Sequence, residues 1–136
     1  MEAIREFLKN DRFAEHCGIE LVDVAEGRAK ARMTVTDRHL NGVNVVQGGA
    51  IFTLADLAFA AASNSYGTVA VAINVSIWFV RAAREGTLTA EAKEVSRNPK
   101  LATYAIDVTD EAGELVARFE GMVYRKKDPI PAGDPS

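Results

Sequence analysis

The chain has 136 residues, is 48% apolar and 26% charged, and carries a net charge of −3. That length and mixture fit one globular domain with a real core, and the slightly acidic balance argues against a nucleic-acid-binding surface. A single cysteine, Cys17, and two histidines leave no disulfide within the chain and no ligand set for zinc, so neither metal nor cofactor is expected.

The opening MEAIREFLKND interleaves both charge signs with its apolar residues, unlike the basic-then-apolar layout of a secretion signal. No stretch is apolar for long enough to span a bilayer. A soluble cytoplasmic protein is the expectation. Residues 2–16 read as one amphipathic helix with Ile4, Phe7 and Leu8 on its apolar face. Ile19–Ala25 is a weak strand candidate. It is joined through Glu26-Gly27 to a clear one, Arg28–Val35, in which Ala29, Ala31, Met33 and Val35 alternate with Arg28, Lys30, Arg32 and Thr34.

Between His39 and Val80 the sequence holds one formal charge, Asp56. Gly49 to Ser65 lies inside that window, too long for an ordinary strand and rich in alanine. It is predicted to be a helix buried nearly all round, with one polar stripe of Thr53, Asp56, Ala60 and Ser63. Val69–Val80 is a long strand whose bulky face is Val69, Val71, Ile73, Val75, Ile77 and Phe79. Three more alternating runs follow at Thr87–Val95, Leu101–Val108 and Glu114–Tyr124, with turns at Asn98-Pro99 and Glu111-Ala112-Gly113. The domain is expected to cover 1–127, with 128–136 a disordered tail rich in proline and glycine.

Segregated helices and strands imply an α+β protein with an antiparallel sheet. Five or six strands wrapped around one long, nearly all-apolar central helix make the hotdog fold.

The sequence has no GxSxG elbow and no glycine-rich nucleotide loop. Its chemistry concentrates in the run from Asn41 to Gly49 and in the helix that follows. Burying an unpaired carboxylate costs several kcal/mol or raises its pKa. Asp56 is therefore either a general base or nucleophile in an apolar pocket, or a helix residue facing water or a subunit seam. Gly48-Gly49 at a helix start would leave backbone N–H groups open at the positive end of the helix dipole, suited to an oxyanion. Equally, a tight turn or a close backbone approach would require those glycines.

The run HLNGVNVVQGGAIFTLADLAFAAASNSYG resembles the core motif of the phenylacetic-acid-degradation (PaaI-type) thioesterases of the hotdog superfamily. IWFVRAAREGTLTAEA and VARFEGMVYR extend the likeness over nearly the whole chain. The resemblance implies hydrolysis of an acyl- or aryl-CoA thioester, with Asp56 activating water or attacking the carbonyl. The N–H groups of Gly48 and Gly49 would hold the carbonyl oxygen, and Asn41 would help to place the water or nucleophile. It also implies a homodimer or homotetramer with active sites between protomers. Arg81, Arg84, Arg97, Lys100 and the Arg125–Lys127 run are candidates for the phosphates of coenzyme A, or else solvated strand-end charges.

Two positions depart from the pattern. Gln47 stands where the family usually has histidine, and a glutamine amide donates a hydrogen bond but does not titrate. Ala72 stands where some members place a serine or threonine, with Asn74 and Ser76 as nearby substitutes. Two rival readings stay open at this level: enoyl-CoA hydration, and a non-catalytic acyl-CoA sensor.

Overall fold

The computed structural model describes residues 1–131. The charge-free window folds as expected into a helix, Gly48–Ser63. Ile51, Leu54, Ala55, Leu57, Ala58 and Phe59 all point into the core. Burial holds this helix in place: about 1.5–3 kcal/mol for a side chain such as Leu54 or Phe59, against a few tenths of a kcal/mol separating most helix propensities.

In chain order the elements are helices α1 (Glu2–Leu8) and α2 (Arg12–His16), then strands β1 (Ile19–Ala25) and β2 (Arg28–Thr34). A 3-10 turn at Asp37–His39 leads to α3 (Gly48–Ser63). Strands β3 (Thr68–Phe79), β4 (Thr87–Arg97), β5 (Leu101–Thr109) and β6 (Leu115–Pro129) follow. All six strands form one antiparallel sheet in the order β1-β2-β4-β5-β6-β3, so β3 closes one edge beside β6. Helix α3 lies on the concave face, against Ala31 and Met33 of β2, Leu88 and Ala90 of β4, and Ile106 of β5. This is the hotdog arrangement.

The far end of α3 is tied down by side chains. Asn64 Nδ2 donates to Ala60 O at 2.8 Å, and its Oδ1 accepts from Ala70 N–H at 2.9 Å. Ser65 Oγ donates to Ala62 O and accepts from the N–H of Gly27, in the β1–β2 turn, at 2.8 Å. Both polar side chains are buried and fully engaged, so the helix is clamped to both ends of the sheet.

Three expectations are corrected. The single N-terminal helix is two, because Asp11 stops the first and caps the second: its Oδ1 accepts from Ala14 N–H at 3.0 Å. Short acidic side chains compete with the helical backbone in this way. The continuous apolar face of β3 is broken by a bulge between Ala72 and Asn74. Beyond it Val75, Ile77 and Phe79 pair with Gly121, Phe119 and Ala117 on the α3 side, whereas Asn74, Ser76 and Trp78 pair with Met122, Glu120 and Arg118 on the outer face. Val71, before the bulge, pairs with exposed Tyr124 rather than with the core. Finally, β6 runs on through Asp128 to Pro129, opposite Thr68, and Ile130 N–H donates to Gly67 O at 3.0 Å. The domain thus extends past 127. The rest of the expected tail, 132–136, lies outside the described residues.

Candidate active site

The start of α3 is built by main-chain constraints from two directions. Gln47 is the N-cap, and its Oε1 accepts from Gly49 N–H. That donor fixes which end of the amide is oxygen. Nε2 is therefore turned outward, and it has no partner among the described residues. Gly49 N–H is thus occupied, which narrows the expected pair of oxyanion donors to Gly48 N–H, for which no acceptor occurs among the described residues. The Gly48 Cα lies close to the Phe79 ring: a Cβ there would come within 3.1 Å of Cζ, and the half-exposed ring would have to shift by a few tenths of an ångström.

Asp56 sits two turns further on. Gly49, Thr53, Asp56 and Ala60 form the helix stripe left open or half-open by the fold. Ser63, expected on it, is instead buried and donates to Ala60 O. Thr53 Oγ1 is engaged by Gly49 O at 2.7 Å. The Asp56 carboxylate has no hydrogen-bond partner among the described residues. Its burial pushes the pKa up from the ordinary carboxylate value, and the negative charge of Asp11 pushes it further. It is a desolvated, unpaired carboxylate at the edge of an apolar core. Eight residues of helix at about 1.5 Å each separate it from Gly48 by roughly 12 Å within one chain.

Asn41 organises the preceding loop. Its Oδ1 accepts from Val43 N–H at 3.0 Å and Val45 N–H at 3.3 Å, and Asn44 takes the left-handed conformation there at φ 61°. Only its Nδ2 remains to act elsewhere. Asn74 and Ser76, considered as helpers of the carboxylate, stand on the outer face of the sheet, away from α3 of their own chain.

The basic candidates come together only in part. Arg81 follows the end of β3 and pairs with Glu114 at 3.7 Å. Arg97 and Lys100 flank the β4–β5 hairpin beside the start of β3, so the twelve residues of that strand, at about 3.3 Å each, hold them apart from Arg81. Arg97 instead stacks over the Tyr66 ring at 3.9 Å and shares a groove of about 570 Å³ with Asn98, Arg125, Lys126 and Lys127. Tyr66 and its stacking went unnoticed in the sequence. So did the bonding of His39, which is buried with both ring nitrogens engaged. The Thr-x-x-His spacing at Thr36 was the available signal for it. A cleft of about 490 Å³, lined by Phe13, Leu40, Phe52 and Thr53, opens directly onto Gln47 and Gly49.

The family model of the thioesterase superfamily matches residues 43–117, from the loop before α3 into β6. The chain belongs to the thioesterase superfamily. It is a thioester hydrolase of the PaaI type. It is 47% identical to a putative esterase of Archaeoglobus fulgidus, over 96% of this chain and 86% of that protein. It is 40% identical to the acyl-coenzyme A thioesterase PaaI of Escherichia coli, over 86% of this chain and 84% of that one. The solved structure of the E. coli PaaI protein superimposes with a TM-score of 0.91, covering 96% of this chain and 95% of its own. A PaaI structure from Thermus thermophilus gives 0.82 at 38% identity, over 85% of this chain and all of that one. Among the described residues no helix is long and apolar enough to cross a membrane.

Proposed function

We propose that this thioesterase hydrolyses an acyl- or aryl-CoA, of which phenylacetyl-CoA and hydroxyphenylacetyl-CoA are the first to test, with Asp56 as its catalytic carboxylate. One observation carries the reading: a half-buried carboxylate with no partner among the described residues lies on the open stripe of a helix whose N-terminus offers donors that are likewise unpaired among them. Gly48 N–H and Gln47 Nε2 are aimed where charge develops as the thioester carbonyl is attacked. Asp56 takes the proton of the attacking water, or attacks directly, and its raised pKa strengthens it as a base. Because Gly48 and Asp56 of one chain lie about 12 Å apart along the helix, the working site pairs Asp56 of one protomer with the Gln47–Gly49 turn of another, in a homodimer or a tetramer built from dimers. The apolar cleft beside Gln47 receives the acyl group. Arg97 and Lys100, with Arg125 to Lys127 nearby, face the phosphates of coenzyme A, and Asn41 Nδ2 helps to place the water.

Asp56→Asn tests this directly. Turnover of the best acyl-CoA, read as thiol release, is expected to fall by at least about a hundredfold, as for a lost general base. Substrate affinity changes far less. A folded variant with near-normal turnover would remove Asp56 from the mechanism and favour a different carboxylate or a binding role.

A further inference from the structure

The family histidine is missing at Gln47, and a buried histidine lies close by, so its role needs deciding. We infer that His39 is a positioning residue that holds the Gln47–Gly49 turn in place, and not a substitute acid or base. The role of the turn itself rests on the function proposed above.

Main-chain groups occupy both nitrogens of the ring. Nδ1 accepts from Thr36 N–H at 2.9 Å, so it carries no proton, and Nε2 must then carry the proton and donate it to Cys17 O at 2.7 Å. Neither nitrogen is left to reach a substrate. The His39 carbonyl, in turn, accepts from Gln47 N–H at 2.8 Å, beside the Leu40–Val46 bridge. One residue therefore joins the end of α2, the 3-10 turn and the N-cap of α3. Val46 N–H, donating to Ala83 O at 2.7 Å, fixes the opposite side of the same loop. The N-cap amide whose Nε2 faces the reaction is thus hung between His39 and the sheet. Loosening the ring would displace Gln47 and Gly48 while leaving Asp56, deep in α3, where it is.

The test combines kinetics with NMR on the intact protein. Long-range nitrogen–proton spectra at neutral pH should show His39 protonated on Nε2 alone. In His39→Ala, amide exchange should quicken at Gln47 and Gly49 but not at Leu54 or Leu57. Turnover should fall by on the order of tenfold to a hundredfold, the scale of a small misplacement of catalytic groups, with KM within about twofold. His39→Gln keeps a donor within reach of Cys17 O and should recover part of the lost turnover. It also carries the test alone if the alanine variant does not fold. A ring protonated on Nδ1, or a folded alanine variant with wild-type turnover, would overturn the assignment. If the wild type hydrolyses no thioester, the function proposed above fails. The tautomer and the exchange pattern then still decide whether His39 holds the turn.

Discussion

A carboxylate half-buried beside apolar side chains pays for its position in stability, and Asp56 does so without a hydrogen bond among the described residues. Its pKa is raised in the folded state by burial first and by Asp11 second. The folded protein therefore binds this proton more tightly than the unfolded chain does. Stability accordingly falls as pH rises from the ordinary carboxylate range through the raised folded value, and the loss is complete above it. Asp56→Asn should melt at a higher temperature than the wild type at neutral pH, and the gap should close as the solution is acidified. A gap that does not vary with pH would mean that the carboxyl is not desolvated as described. Gln47 allows a sharper separation, because its Oε1 accepts from Gly49 N–H while its Nε2 is the donor that the proposed function uses. Gln47→Glu keeps an oxygen for Gly49 N–H and adds a negative charge where the α3 dipole favours one, so stability should hold or rise. It removes the outward donor, so turnover should drop by roughly 10²-fold, the usual loss for one oxyanion donor. Unchanged turnover with intact folding would show that Nε2 does not touch the reaction. Asp56 was legible in the sequence because nothing else from 40 to 79 is charged. The bond of His39 to Cys17 O was not, because that partner lies 22 residues away.

At the level of elements, periodicity located each strand and the buried helix, since alternation and alanine content are local properties. It could not show where tertiary packing interrupts a pattern. The bulge after Ala72 re-aims half of β3, and Asp11 divides the N-terminal helix, although both segments read as continuous. The close approach of α3 to β6 was also invisible. Phe59 packs at a tilt on Phe119 at 5.3 Å and edge-on to Tyr104 at 5.9 Å between ring centroids, and its ring edge lies against Gly121. A Cβ at Gly121 would lie 2.6 Å from the Phe59 Cζ, inside contact distance and against a ring already wedged on two sides. Gly121→Ala should therefore destabilise by about 1–3 kcal/mol, the range for overpacking a filled core, measured by urea unfolding. Combining it with Phe59→Leu should cost less than the sum of the two single changes, because the second relieves the first. Full additivity would place the strain elsewhere.

For the whole molecule, the edge strand β3 poses the question. It is twelve residues long, uncharged, and among the described residues pairs only with β6, yet Val71, Ile73, Phe79 and neighbouring Val80 are about half exposed. A long apolar edge with one row of backbone groups unpaired is a template for another strand, and a second copy of this chain is the occupant the proposed site requires. Light scattering should give two or four times the 14.7 kDa chain mass. Mixing inactive chains tests the shared site more sharply. In a dimer of Asp56→Asn with Gln47→Glu, one site combines the intact Asp56 of the second chain with the intact turn of the first, while the other site holds both defects. Co-expression at equal levels makes about half of the dimers mixed, each with one of its two sites restored, so activity should return to about one quarter of wild type. Either variant alone should stay near its own low level. If the mixture gives only the average of the two variants, Asp56 and Gln47 work within one chain. The roughly 12 Å of helix between Gly48 and Asp56 would then have to be bridged by the substrate or by movement of the loop.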